Sequence, residues 1–558
     1  MKLTNNTFRP KRIFKLDFWN IVTIIFFLLA AVFLVYPLIG LIIRSFLSSD
    51  SGEFTLYNYF EFFKLPYYSR TLKNSFILSL TTTILAVLLG VPMGYVVSRY
   101  NIPGKKVLNI MVIISLLSPP FIGAYAWILL LGRSGFITKL LLQIGITIPT
   151  IYGFKGMLLV FTLKLFPFIY MYVLGALGTM DRSLEEAAEN LGVSGINKLL
   201  TITFPLILPT LTAGIVMVFM TVLSDLGTPM LIGEGYKVLP VLIYEEYVSE
   251  MGGNAVIAST MSVILIFFSL SILFLQRYVV SKRDYNMTGL RPPIVKELAR
   301  LPRVLLTLIC YGIALIALAP QITTVVTSFI KTRGPLFIKG FSIKSYTSVW
   351  FKLSDNVIHT FSYSTIAIIF MIAIGILAAY LVVRRKSKTT ALLDFIVMSP
   401  YVIPGSVLGI ILVMAFNRPP LLLAGTSTIL IISYTIRKIP FLFRSSIGIL
   451  YQLDPSVEEA SISLGVAPVK TFFKITAVLM LPGVISGAIL SWIATINEFS
   501  STIILFSGRT KTIPIAIFTE LFKDSFGTAA ALGSILTVAA IIALAIFYKI
   551  TGGKGSVI

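Results

Sequence analysis

The sequence is poor in the residues that most soluble chemistry is made from. Only 12% of its 558 residues are charged, and it holds one cysteine and one histidine; an ordinary globular domain is about 25% charged. Cys310 lies inside an apolar run, so no intrachain disulfide forms and thiol chemistry has no partner. His359 alone cannot build a histidine-based metal cluster and reads as a helix-packing residue. The phosphate-cradling signature G-x4-G-K-[ST] does not occur. Its nearest approaches, around Gly104-Lys105-Lys106 and Gly553-Lys554-Gly555, lack both the spacing and the following hydroxyl. Neither Gly-x-Ser-x-Gly nor a Cys-x-x-Cys pair is found. No cofactor is expected, and energy for any pumping has to come from another polypeptide or from an ion gradient.

What the chain does have is apolar length. Hydrophobic residues make up 56% of it, in runs long enough to cross a bilayer. The fold class expected is an all-α polytopic membrane protein of about twelve transmembrane helices. The formal net charge of +23 does not point to nucleic acid, because the basic residues sit mostly in short loops between apolar runs, where positive-inside orientation accounts for them.

Met1 to Asp17 is basic, and the run Phe18 to Ile43 is too long for a signal-peptide core, so it reads as a retained first span. Further spans are expected near Asn74–Val97, Val107–Leu131, Gly156–Gly178, Pro205–Ser224 and Ala255–Gln276, with Pro205 and Pro209 restarting the fifth helix. Residues 277–303 carry seven basic and two acidic residues and Pro292-Pro293, and read as a cytoplasmic linker. The second half repeats the plan near Val304–Phe329, Val357–Val383, Ala391–Ala415, Thr426–Gly448, Leu479–Thr495 and Phe526–Tyr548. This divides the chain into units 1–276 and 304–558, parallel six-helix repeats about an axis along the membrane normal. With both termini cytoplasmic, the basic stretches 1–15, 99–106, 277–303 and 384–388 all fall inside; Lys331, Arg333, Lys339, Lys344 and Lys352 fall outside, against the rule.

One polar stretch occurs twice. DRSLEEAAENLGVSGINKLLTIT (Asp181–Thr203) and DPSVEEASISLGVAPVKTFFKIT (Asp454–Thr476) share ten of 23 positions without a gap. Each offers a Ser-x-x-Glu capping box, Ser183 to Glu186 and Ser456 to Glu459. Gly192 and Gly465 are placed to end the helix in a left-handed turn. Gly90, Tyr95 and Arg99 in the second span match Gly375, Tyr380 and Arg384. A single copy would pass for a well-capped connecting helix; two copies point to a partner outside the membrane that grips both.

Glu186-Ala187-Ala188, three residues, Gly192, nine residues, then Ile202-Thr203-Phe204-Pro205 resembles the EAA loop of binding-protein-dependent ABC importer permeases, of form E-A-A-x3-G-x9-I-x-L-P. The second copy, Glu459-Ala460-Ser461, three residues, Gly465, nine residues, Ile475, departs at Ser461 and at Val478; its nearest proline, Pro482, matches Pro209. The resemblance extends over nearly the whole chain as two fused permease units and is nearest to the ferric-iron group, with thiamine, phosphonate and polyamine importers behind it. It implies that the loops 181–209 and 454–482 form cytoplasmic coupling helices docking on two copies of an ATP-binding subunit, through Glu185, Glu186, Ala187, Ala188 and Gly192, and Glu458, Glu459, Ala460, Ser461 and Gly465. It also implies an extracytoplasmic solute-binding protein and a place in the bacterial plasma (inner) membrane, with no enzymatic activity in this chain.

Charges in or near spans are the usual functional suspects, since burying them is costly. Asp225 and Glu498 occupy matched positions at the outer ends of the spans that follow the repeated stretch. Two readings apply: a paired acidic ring receiving a cationic or metal solute, or solvated helix ends. Lys164, Arg437, Lys438 and Arg444 read as snorkelling cations. An ion-coupled secondary transporter is the competing function class, and its signature, ionisable residues in mid-span, is nearly missing. An intramembrane enzyme lacks a nucleophile, histidine and metal set.

Overall fold

The computed structural model describes residues 17–49, 51–116, 118–119, 121–193, 195–249, 253–281, 295–334 and 336–550. The basic segment before Asp17, the last glycine-lysine motif and residues 282–294 of the expected linker lie outside them.

Among the described residues ten helices are long and apolar enough to cross a membrane, and an eleventh span is gained if one bent pair is counted. That pair, Lys388–Tyr401 and Gly405–Phe416, turns by 108°, at Pro400 and Pro404, where missing amide donors break the helical ladder. The expected span Ala391–Ala415 is therefore broken. So is Val107–Leu131, which divides into Lys105–Leu116 and Ile122–Leu131 around Pro119. The helix Ser427–Gln452 stands at the tenth expected position but is not among the apolar ten, because Arg437, Lys438 and Arg444 interrupt it. The fifth and eleventh spans begin earlier than the prolines suggest, at Leu199 and Pro468. The reason is a π-helical turn in each, Leu199–Thr203 and Phe472–Thr476, whose closing amides, Phe204 N–H and Ala477 N–H, donate to Leu199 O and Phe472 O. The helix runs through instead of restarting. Because the second copy has Val478 where the first has Pro205, proline is not what makes the turn.

The two halves match in their packing. The second span of each half (Pro66–Arg99, Ser354–Arg384) lies against the fourth (Phe154–Thr179, Ser427–Gln452). The approach is so close that a Cβ on Gly90 would sit 2.7 Å from Ile169 Cβ, and one on Gly375 2.3 Å from Leu442 Cδ2. Each half's first span leans on the other half. Trp19 stacks on Tyr380 at 4.5 Å and Asp17 pairs with Arg385 at 2.9 Å. In return Gln321 donates to Ser115 O at 2.9 Å and Tyr311 to Gly104 O at 3.0 Å. Between the fifth and sixth spans of each half lies a further ten-residue helix, Leu239–Val248 and Ile513–Phe522, which hydropathy did not resolve. Its first amide is taken by a hydroxyl of the second span: Leu239 N–H donates to Ser75 Oγ (2.8 Å) and Ile513 N–H to Thr360 Oγ1 (2.7 Å). A small antiparallel hairpin, Ile330–Arg333 with Leu336–Phe341, is the one sheet among the described residues. His359 stacks on Tyr363 and faces Lys511 O, a packing role.

Candidate functional site

The repeated stretch folds into two polar helices, Arg182–Asn190 and Ser456–Ser463, at the end of the molecule where the second spans finish. Neither starts with the expected serine capping box. Instead the aspartate two residues before each serine accepts its amide, Asp181 from Ser183 N–H at 2.8 Å and Asp454 from Ser456 N–H at 2.9 Å. Aspartate caps as well as serine does and carries the charge that favours a helix N-terminus, so the earlier residue wins. That amide hydrogen bond holds the Asp454 carboxyl below the usual aspartate range.

Both helices end as the glycines predict. Gly192 and Gly465 have φ of +80° and +85°. Val193 N–H reaches back to Ala188 O and Gly192 N–H to Glu189 O, and Val466 and Gly465 do the same to Ser461 O and Ile462 O. This is the six-to-one and five-to-two pairing of a Schellman turn. A Cβ at either glycine would meet nothing within 4 Å, so glycine is required there by backbone conformation and not by space.

The helices present matched faces. Ala188 and Ser461 are buried, Ala187 and Ala460 are exposed, Glu459 is exposed and Glu186 half-buried. Leu191 and Leu464, just before the glycines, are 83% and 85% exposed and are the most prominent of the apolar side chains each copy exposes, beside Leu184 in the first and Val457 and Ile462 in the second. The departure Ser461 has a local explanation: its hydroxyl bonds Thr471 Oγ1 at 3.0 Å. In the first copy the residue matching Thr471 is Lys198, which pairs with Glu189 at 2.6 Å and, with Lys296 nearby, holds that carboxyl below its usual range. Each copy thus ties its turn down with a different polar pair.

The remaining coupling candidates, Glu185 and Glu458, point inward. Arg99 Nη2 lies 2.6 Å from Glu185 Oε1, and Arg384 Nε lies 3.1 Å from Glu458 Oε1. Tyr380 OH donates to Glu458 Oε2 at 3.2 Å. The arginines and glutamates are each duplicated in the sequence, but their two offsets differ, and only folding shows that they pair.

The second candidate set is less uniform than its sequence positions suggest. Asp225 accepts Thr228 N–H at 2.9 Å and Glu498 accepts Ser501 N–H at 3.2 Å, the same cap at the same place. Glu498, however, is only 4% exposed and is held by Arg437 and, at 2.8 Å, by Lys438. It is not a solvated helix end, and Arg437 and Lys438 do not snorkel; they neutralise a buried carboxylate. Asp225 is half-buried with no ion pair among the described residues. Lys164, at the position matching Arg437, lines a water-sized cavity with Ser118, Thr228 and Gln321. No group of three metal-ligating side chains occurs among the described residues.

Comparison with known proteins places these features in a wider setting. The family model described as "Binding-protein-dependent transport system inner membrane component" matches twice, over residues 86–285 and 371–552. The chain is 28% identical over 552 residues to the "Ferric transport system permease protein FbpB" of Actinobacillus pleuropneumoniae, covering 96% of this chain and 77% of that one. It is 29% identical over 512 residues to the "Putative ferric transport system permease protein FbpB 1" of Haemophilus influenzae, covering 89% and 78%. A "Molybdenum transport system permease protein ModB" of Escherichia coli is 30% identical over 190 residues, which is 32% of this chain and 83% of the relative.

Proposed function

The chain belongs to the family of binding-protein-dependent transport system inner membrane components, and on that premise we propose that it is the fused transmembrane subunit of a ferric-iron ABC importer. It is a translocation component and not an enzyme. Two permease units, 1–276 and 304–558, are joined by a cytoplasmic linker, 277–303. Two copies of an ATP-binding subunit dock on the helices Arg182–Asn190 and Ser456–Ser463, one on each, and a solute-binding protein on the outer side delivers the cargo. Both termini lie in the cytoplasm of a bacterial cell, with the spans in its plasma membrane.

The observation that carries the two-site reading is the duplication of the docking helix down to its exposed leucine, Leu191 and Leu464, and its left-handed glycine. In each copy that leucine is the most exposed large apolar side chain of the helix and its turn, and two equivalent exposed positions fit a partner that presents two equivalent grooves. Ferric iron is supported by the two relatives that align along nearly the whole chain. For the cargo path, Asp225 is the better placed of the two matched carboxylates, since Glu498 is committed to Arg437 and Lys438.

The test is uptake of ferric iron into vesicles holding this chain with its ATP-binding subunit, supplied with iron-loaded binding protein outside and ATP inside. Uptake is expected to need ATP and to survive collapse of the proton and sodium gradients. Gradient-driven uptake by the chain alone would return it to the secondary transporters.

A further inference from the structure

The polar helices are capped and terminated by their own backbone and by Asp181 and Asp454, so the inward-facing Glu185 and Glu458 have no local task. Both are nonetheless committed to an ion pair, with a buried arginine in the first copy and both partners half-buried in the second. Arg99, 5% exposed, is the last residue of the second span, and its guanidinium also lies 3.5 Å from Met180 Sδ. Arg384, the last residue of the equivalent span, pairs with Glu458 and gives a second bond, 2.8 Å, to Leu453 O just before its polar helix. Taking such groups out of water costs free energy that the pair must recover, so a buried pair is weak evidence for stability and better evidence for a fixed register between two elements.

The elements so fixed are informative. The chain itself connects each polar helix to the fourth span before it and to the fifth span after it through the π-helical turn. To the second span it is joined by side chains alone. That span is one continuous helix, Pro66–Arg99, which carries Pro92 within it, or Ser354–Arg384. Toward its other end Ser75 and Thr360 receive the first amides of the buried helices Leu239–Val248 and Ile513–Phe522. From Ser75 to Arg99 the rod extends about 36 Å at 1.5 Å per residue. Packed helices shift as rigid bodies and do not bend continuously, so a displaced polar helix has to carry the rod with it or break an arginine–glutamate ion pair.

We propose that Arg99 and Arg384 are positioning residues that couple the docking helices, through the second spans, to the outer helices Leu239–Val248 and Ile513–Phe522. Docking and ATP-driven movement at the inner face then reach the outer face along two equivalent rods, each pinned by an arginine–glutamate pair inside and a hydroxyl–amide bond outside. This rests on the reading that an ATP-binding subunit docks on the polar helices.

The test uses the whole complex in vesicles, with Arg99→Gln and Arg384→Gln combined. Three quantities are followed: co-purification of the ATP-binding subunit, ATP hydrolysis with and without iron-loaded binding protein, and iron taken up per ATP. The variant is expected to assemble and hydrolyse ATP, while stimulation by the binding protein and uptake per ATP each fall about tenfold, within the range by which residues along a coupling route alter it. Ser75→Ala with Thr360→Val, at the far ends of the rods, should give the same separation. Wild-type stimulation and uptake in the arginine variant would overturn the proposal while leaving the transport reading intact. A wild-type complex that ignores the binding protein would overturn both. If the arginine variant does not assemble, Ser75→Ala with Thr360→Val takes its place with the same two outcomes. Failure of both to assemble would show the pairs to be purely structural, which also overturns it.

Discussion

Glu498→Gln should be among the most damaging single substitutions in the chain, although it alters no helix and changes the side chain by one atom. The carboxylate is buried between Arg437 and Lys438 and also accepts the Ser501 amide and hydroxyl. Glutamine can keep the amide contact but cannot neutralise two cations. Removing one partner of a buried ion pair costs about 3–5 kcal/mol, because the remaining charge is stranded away from water. At about 1 °C per kcal/mol for a chain of this length, the apparent melting temperature of the detergent-solubilised protein should fall by roughly 3–4 °C.

A control is written into the first half. Lys164-Leu165 stands where the second half has Arg437-Lys438, and Asp225 where it has Glu498. Lys438→Leu therefore reproduces the first half's layout, one cation to one carboxylate, and should cost much less than Glu498→Gln. Adding Lys438→Leu to Glu498→Gln should recover part of the loss by removing one of the stranded charges. The assay is thermal unfolding followed by loss of monodisperse protein, all variants at one detergent and salt concentration. A Glu498→Gln protein as stable as wild type, or no more sensitive than Lys438→Leu, would refute the electrostatic argument.

Other substitutions separate docking from the cargo path. Gly192→Leu and Gly465→Leu each force a side chain into a left-handed turn at about 1 kcal/mol or more, with no clash to add; insertion and expression should persist while uptake per ATP falls, and full uptake by both would remove the glycines from coupling. Asp225→Asn keeps an oxygen for the Thr228 amide, so stability should move by less than about 1 kcal/mol; if Asp225 contacts the cargo, iron uptake drops severalfold while ATP hydrolysis stimulated by the binding protein continues, and unchanged uptake would make it a helix cap only. Ser461→Ala leaves the Thr471 hydroxyl without its partner and should cost about 1 kcal/mol, measurable as faster hydrogen exchange in Ser456–Ser463; adding Ile462→Glu and Thr471→Lys, which copies the Glu189–Lys198 arrangement, should restore protection.

The parts legible in the sequence were those set by short-range rules. Apolar length placed the spans, and the left-handed turns at Gly192 and Gly465 followed from where glycine stands relative to a polar helix. Errors arose where two local rules compete. Serine and aspartate both cap helices, and two residues decide which amide is taken. Proline both starts helices and is accommodated within them, and a π-helical turn that also forms beside Val478 carries the fifth span of each half past the expected start. The break at Pro400 and Pro404 and the charged tenth helix were hidden for a related reason, since hydropathy sees neither a bend nor a neutralising partner. What no local rule could supply was pairing. Arg99 recurs as Arg384 at an offset of 285 and Glu185 recurs as Glu458 at 273, so a search at one constant offset finds each correspondence and never joins them. The segment between the second span and the polar helix, which holds the third and fourth spans, differs in length by twelve residues and separates the two registers, and only the packed structure brings the pairs together. Two contacts reached by different chain lengths and ending in the same residue pairing at the same place are what a shared mechanical requirement would leave behind, and that is the strongest reason to look for function in the arginine–glutamate pairs.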